Sequence, residues 1–339
     1  RRRHTRSFHV IGVQTCALPI LEPLQPDMPF IYRLAGLDIL SEFPLPDVAL
    51  RGERSPSPDR VLVRRAPVPI SLPDGERFEE GQYDGRDCLI VIPEVARYLI
   101  RDGREIAVEQ LPPTNDLEMC VFLLGTTFGA LCHHRGILPL HACALETPKG
   151  CVAFAGASGE GKSTLAAALA KRGHNVLSDD VLYLRQDTKK HTLAWPGLGR
   201  IRLWDDSLDA LGYRDETIQR ETRDNEKFLV PIRPLDDPAR PRVLRRVYRL
   251  EAAPEGEQTS FERVQGAAAI ELLMPNVYRL TLAEHMGRKT AIFESCAQIA
   301  RNISVYTFRR PLRFDRLAET IERLEKHLQD MELGQVGGN

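Results

Sequence analysis

The chain of 339 residues carries almost no net charge: 46 lysines and arginines against 47 aspartates and glutamates leave −1. A large nucleic-acid-binding face needs a surplus of cations, so this balance argues against such a partner. Cysteine is present without pattern. Cys16, Cys88, Cys120, Cys132, Cys143, Cys151 and Cys296 form no C-x-x-C pair and no zinc-ligand spacing. Free buried thiols in a reducing cytoplasm are the expected state. Long apolar runs are also lacking. The longest, Met119 to Cys132, is broken by Gly and Thr and is too short to cross a bilayer. No secretory signal and no internal repeat is visible. A soluble, cytoplasmic protein with no membrane partner is expected.

What is present is concentrated in one segment. Gly156-Ala157-Ser158-Gly159-Glu160-Gly161-Lys162-Ser163 fills every fixed position of a G-x-x-x-x-G-K-[ST] phosphate loop. An apolar strand, Cys151 to Ala155, precedes it, and a helix from Thr164 to Arg172 follows. The glycines let the backbone turn N–H groups inward around an anion. The helix N-terminus adds partial positive charge. Lys162 can reach β- and γ-phosphates, and the Ser163 hydroxyl can ligand Mg²⁺. These residues and Thr164 predict a site for a nucleoside triphosphate, with ATP and Mg²⁺ as cofactors.

Seventeen residues after Lys162 stand two adjacent carboxylates, Asp179 and Asp180. The loop helix, a turn at Gly173-His174-Asn175 and a short strand, Val176 to Ser178, lie between. That strand is expected to return beside the loop strand through one right-handed crossover, which brings its C-terminal end next to the phosphates. One carboxylate can then bind Mg²⁺ and the other accept a proton from an attacking hydroxyl. No Leu-Ser-Gly-Gly-Gln signature of a transport ATPase is present, and no Asn-Lys-x-Asp guanine-reading motif.

Taken in order, His141-Ala142-Cys143-Ala144-Leu145, the phosphate loop, Gly173-His174 with Ser178-Asp179-Asp180, and Pro196-Gly197-Leu198-Gly199 resemble the catalytic domain of HPr kinase/phosphorylase. The match runs over roughly residues 137 to 235. It implies an α/β fold, with a P-loop-containing catalytic domain of the HPr-kinase/PEP-carboxykinase type behind a small β-rich N-terminal domain. It implies that His141 lies near the transferred phosphate. It makes Asp179 the proton acceptor for a substrate serine and leaves Asp180 with Ser163 to hold the metal. The catalytic set is then His141, Lys162 and Asp179.

The sequence departs from the family signature in one place. Ala194 stands where the family has a Glu that assists Mg²⁺, and Pro196 where it has an Arg. The chain therefore looks closer to a divergent branch that phosphorylates serine on small precursor peptides. Tyr32 to Ile39 with Leu45-Pro46, and Arg202 to Leu208, also resemble that branch. The implied function is an ATP-dependent serine/threonine kinase acting on a small protein or peptide, with phosphorolysis as a second activity. A homo-oligomer is admitted. An NTP hydrolase or small-molecule kinase, and a nucleotide-sensing regulator without turnover, remain open.

Residues 1–27 are expected to be an artefactual or disordered leader, because Gly12 to Ile20 reads like a translated sequencing adapter. Residues 28–135 read as the β-rich domain, with strands at 30–34, 61–63, 88–92 and 106–108 and a loop at 51–58. A connecting helix runs from Asp116 to His133, capped by Thr114 or Asn115. Residues 136–332 read as the kinase domain and 333–339 as a disordered tail. Leu138 to Leu145 reads as one strand, able to pair with 151–155 as a hairpin. Further strands are expected at 176–178, 181–184, 192–195, 200–203, 243–251 and 305–308, and helices at 207–211, 266–273, 288–300 and 314–329. The polar stretch from Asp205 to Glu226 is a candidate flap. Lys227 is a weaker candidate for neutralising phosphate charge, and Arg233 a lesser one. His133-His134 is expected as a cation at a helix C-terminus rather than a metal site. Trp195 and Trp204 are expected to pack rather than to stack on a base.

Overall fold

A computed structural model describes residues 29–50, 59–214, 218–222 and 226–333. The leader, the loop at 51–58 and the tail from residue 334 lie outside the described residues, as do 215–217 and 223–225 of the candidate flap. Over the described residues the fold is mixed α/β, with two nine-stranded sheets, a third sheet of three strands, and helices.

The first sheet is built from strands between Phe30 and Gln110. Strand Leu37–Ser41 lies parallel to Arg60–Arg65, which lies parallel to Glu105–Gln110; antiparallel pairings complete the rest. One side of this sheet is closed by a helical run over Asp116–His134. Asn115 caps it, its side chain accepting from the Glu118 N–H at 2.9 Å. The run is two α segments, Asp116–Phe122 and Phe128–His134, joined by a π turn at Leu123–Thr127. At 19 residues and mean hydropathy 1.2 it is long and apolar enough to span a bilayer, contrary to the expectation from its Gly and Thr breaks. Here most of it is buried against the protein. Met119, Leu123, Phe128 and Leu131 share one core with Ile90 and Tyr98 of the sheet. That core also takes in Val181, Tyr183, Leu282 and Met286, so it crosses residue 136.

The second sheet carries the phosphate-loop motif. Loop strand Gly150–Ala155 pairs antiparallel with Ala142–Thr147 and parallel with Arg242–Ala252, and the latter pairs parallel with Ser304–Arg310. The loop strand is buried on both faces, which is why it reads as a continuous apolar run. Cys151, Ala153 and Ala155 face a core with Ala269, Leu273, Cys296 and Ile299 from helices Gly266–Leu273 and Lys289–Asn302. Val152 and Phe154 face the other core, with Leu165 and Leu169 of the loop helix Lys162–Lys171 and Ile321 and Leu324 of the last helix. The two-residue alternation of a strand thus divides one short segment between two layers of helix.

Two expectations are corrected. The segment 138–145 is not one strand. Leu138–Leu140 pairs with Leu182–Gln186, Ala142–Thr147 pairs with the loop strand, and the chain breaks between them at His141. Strand Val176–Ser178 is not the loop strand's neighbour either. It pairs antiparallel with Ala142–Thr147, which lies between the two. Val176–Ser178 still runs parallel to the loop strand, so its C-terminal end reaches the same edge of the sheet.

Candidate active site

The loop is held by hydrogen bonds to its own backbone and by two arginines. Gly161 adopts φ +70° and caps helix Lys162–Lys171. A Cβ there would come within 2.6 Å of Arg310 Nη2, so Gly161 serves both a left-handed turn and a close approach. Arg310 ends strand Ser304–Arg310 and donates through Nη2 to the carbonyls of Glu160 and Gly161, at 2.7 and 3.0 Å. Glu160 accepts from the Ala157 N–H at 2.7 Å and pairs with Arg249. Lys162 is buried, and Nζ donates to the carbonyls of Gly156 and Ala157 at 2.7 and 3.0 Å. Burial lowers the Lys162 ammonium pKa and lowers Arg310 to about 10.

The paired carboxylates have different surroundings. Asp179 is only 3% exposed. Its Oδ2 accepts from Ser163 Oγ at 3.2 Å and from the Arg202 N–H at 2.8 Å, while Oδ1 is buried without a partner. Burial pushes its carboxyl up to about 6, although the Arg202 N–H pulls the other way. Asp180 is more open. Burial raises it too, but Arg202, His141, Lys227 and Lys162 outweigh that and hold it below the ordinary carboxylate value. Arg202 Nη1 lies 2.6 Å from Asp180 Oδ2, and its Nε lies 2.6 Å from Glu221. His141 Nδ1 meets the Asp180 carbonyl at 3.0 Å, which fixes the hydrogen on Nδ1, and the Asp180 carboxylate at 3.5 Å. Burial lowers the His141 pKa, and Asp180 only partly opposes it.

These groups meet at a cavity of about 200 Å³. His141, Lys162, Ser163 and Asp180 line it, with Ser158, Gly159, Gly161 and Thr164 of the loop segment. Lys227 lines it as well, its ammonium 5.1 Å from the Trp204 ring. Strands Arg200–Trp204 and Lys227–Pro231 make that contact, since Trp204 is registered against Lys227. Asp179 does not line this cavity. It faces a second, of about 120 Å³, whose wall also contains Asp180 and Arg202. Among the described residues no three His, Cys, Asp or Glu side chains are grouped to hold a metal ion.

Neither family models nor curated proteins match this chain. Among solved structures it is similar to the Hpr(Ser) kinase/phosphatase from Coxiella burnetii, at 18% identity and a TM-score of 0.31, over 58% of this chain and 94% of that one. So low a score leaves the site to be read from its own geometry.

Several residues lie away from where their sequence context suggested. Arg233 is exposed and lines neither cavity. Ala194 is fully buried in an apolar core, paired across strands with Leu184 and Arg242, and also lines neither. It does not face the phosphate loop, so the match of this strand to a metal-assisting Glu fails on orientation. Gly197 explains its own motif: a Cβ there would meet Ser178 Oγ at 2.4 Å, beside Asp179. His133 is not a cation. Burial lowers it to about 4, and its Nε2 meets the Tyr278 carbonyl at 2.7 Å. Trp195 packs against the first core. Trp204 is 42% exposed and, with Leu312 and Phe314, forms an apolar rim on the larger cavity. Arg202, Glu221 and Arg310 were not singled out as site residues from sequence. Only the tertiary fold brings Arg310 to the loop, because 148 residues separate it from Lys162.

Proposed function

We propose that the chain is an ATP-dependent kinase that phosphorylates a serine or threonine hydroxyl on a small protein or peptide, with a P-loop catalytic domain of the HPr-kinase type. One observation carries this reading. A complete phosphate-loop motif lies between a buried strand and a helix N-terminus, and its Lys162 and Ser163 share a cavity with His141 and Asp180.

The loop N–H groups and the helix N-terminus would hold the phosphates, with Lys162 against the β- and γ-oxygens. Lys162 has donors to redirect, since its present acceptors are loop carbonyls. The donor set fits Mg²⁺, which accepts hard oxygens and keeps several waters: Ser163 supplies a hydroxyl and Asp180 an ionised carboxylate on the same cavity. The metal, when bound, would neutralise charge between the β- and γ-phosphates. Ser163 also donates to Asp179, which orients the hydroxyl. Asp179, raised toward neutrality by burial, suits the proton acceptor, because an acceptor works best with a pKa near the working pH. His141, neutral and held by Asp180, and Lys227 would adjust charge beside the transferred phosphate. The rim of Trp204, Leu312 and Phe314 offers apolar surface to the base. A reading as a nucleotide-sensing regulator draws on one observation, that Asp179 lines the second cavity and not the one Lys162 and Ser163 share.

Thermal stabilisation by Mg-ATP, followed by incubation of labelled ATP with serine-containing peptides, tests both readings. Ligand linkage gives about 2.7 kcal/mol at a hundredfold excess over Kd. Lys162→Ala should lose that stabilisation while keeping its unliganded stability. Undiminished stabilisation in the variant refutes the nucleotide site. Stabilisation without turnover refutes the kinase and favours the regulator.

A further inference from the structure

The edge of the second sheet opposite the phosphate loop carries a groove of about 1280 Å³. Strands Gly150–Ala155, Arg242–Ala252 and Ser304–Arg310 run parallel and begin there, whereas the phosphate loop follows the far end of the first. That strand has six residues, so roughly 20 Å separate the groove from the loop. Ligands of α/β sheets usually sit beyond the carboxyl ends of the strands, which leaves this edge out of the nucleotide site. Six cations line the groove, Lys149, Arg240, Arg242, Arg245, Arg246 and Arg263, against two carboxylates, Glu146 and Asp236. In a chain of net charge −1 that is a local surplus. Arg242 holds the wall together: it is buried, with Nε 2.6 Å from Glu146 and Nη1 donating to the Asp237 carbonyl at 2.8 Å. Arg240, Arg245 and Arg263 are exposed, and among the described residues none of them has a carboxylate partner. Cations gathered on a concave surface focus the field and attract an anion.

The kind of anion follows from size and lining. The groove exceeds the roughly 300–1,000 Å³ of small-molecule pockets. Its cations stand on a turn, a loop and two strands, which suits an extended ligand rather than a single phosphate. Single-stranded nucleic acid binds by stacking its bases on open aromatic faces. Among the described residues no Phe or Trp lines the groove, and its Tyr306 is only 7% exposed. Pro148, Pro241 and Val243 place apolar surface between the charges. We propose that the groove docks an extended acidic peptide segment of a partner protein, with its carboxylates on Arg240, Arg245 and Arg263. This goes beyond the kinase reading and does not depend on it.

The test is peptide binding to the full chain without nucleotide. Fluorescence anisotropy would compare a labelled peptide of Glu, Gly and Leu with its counterpart in which Gln replaces every Glu. The acidic peptide should bind, less tightly as salt is raised, and at least about tenfold more tightly than the Gln counterpart. Arg245→Glu and Arg263→Glu should each weaken that binding, and together by about tenfold or more, because each turns an attraction into a repulsion. Both side chains are exposed, and Arg240→Glu, exposed in the preceding loop, replaces either variant that fails to fold. Arg104→Glu, exposed between two strands of the first sheet, should bind like the wild type. Lys162→Ala should also retain binding, and Mg-ATP should not compete. Equal binding of the two peptides, no binding of either, competition by Mg-ATP, or unchanged affinity in the folded reversals overturns the proposal. So does tighter binding of labelled oligothymidylate that the same reversals abolish, which would give the groove to nucleic acid. Because the peptide assay needs no ATP, its failure leaves the nucleotide reading standing, and failure of the Mg-ATP experiment leaves the groove standing.

Discussion

Removing the charge of Asp179 should stabilise the protein, and the gain should depend on pH. The carboxyl is 3% exposed, and burial raises it from 3.8 to about 6. Between those values the folded protein holds a proton that the unfolded chain has released. The group therefore favours folding most at low pH, and its contribution falls as pH rises through about 6. Above that, the ionised carboxylate costs about 3 kcal/mol relative to one in water. Asn carries no such cost. Its side-chain oxygen can still accept from the Arg202 N–H and Ser163 Oγ, as Oδ2 does now. Asp179→Asn should then exceed the wild type by up to about 3 kcal/mol at pH 8, by nearly as much at pH 6, and by very little below pH 4. Urea unfolding at the three pH values, with EDTA and without nucleotide, reads the difference directly. The substitution should cost activity, as destabilising groups at active sites commonly do when they are relieved. A difference of the same size at pH 4 and pH 8, or a variant less stable than wild type at pH 8, would refute the buried-carboxylate argument.

The other expectations concern roles and orientation. Asp179→Asn should keep near-normal affinity for ATP and lose roughly two or more orders of magnitude in phosphoryl transfer. Asp180→Asn should instead raise the Mg²⁺ concentration needed for half-maximal rate, and transfer that survives in the first but not the second would reverse the two roles. Ala194→Glu should not change the Mg²⁺ dependence, since residue 194 faces an apolar core. It should cost on the order of 4 kcal/mol in unfolding experiments, and a tightened Mg²⁺ response in a stable variant would place that strand differently.

Much of the fold was legible because its signals are local. Strand Cys88–Ile92 and helix Gly266–Leu273 have the bounds their patterns suggest, and Thr192–Trp195 likewise. Helix Leu280–His285 was missed because six residues carry less than two turns of periodicity. Strand Ser260–Val264 was missed because most of it is exposed and its alternation is weak. The long strand read from Leu138 to Leu145 failed at His141, where unbroken apolar character hides a change of partner strand.

The sequence alone determined the chemistry of the loop: which glycines can turn, where the lysine and serine stand on the helix that follows, and that two carboxylates come soon after. These are short-range facts, carried by backbone conformation and by spacing along one strand–loop–helix unit. Tertiary structure decided how that chemistry is divided. Ser163 meets Asp179 while Arg202 and His141 meet Asp180, so neighbouring identical residues acquire opposite pKa shifts. Arg310 reaches the loop, Ala194 turns away from it, and a π turn in a distant helix closes a second cavity behind Asp179. Each of these depends on strand order and register between segments far apart in the chain, and on burial, which no spacing encodes.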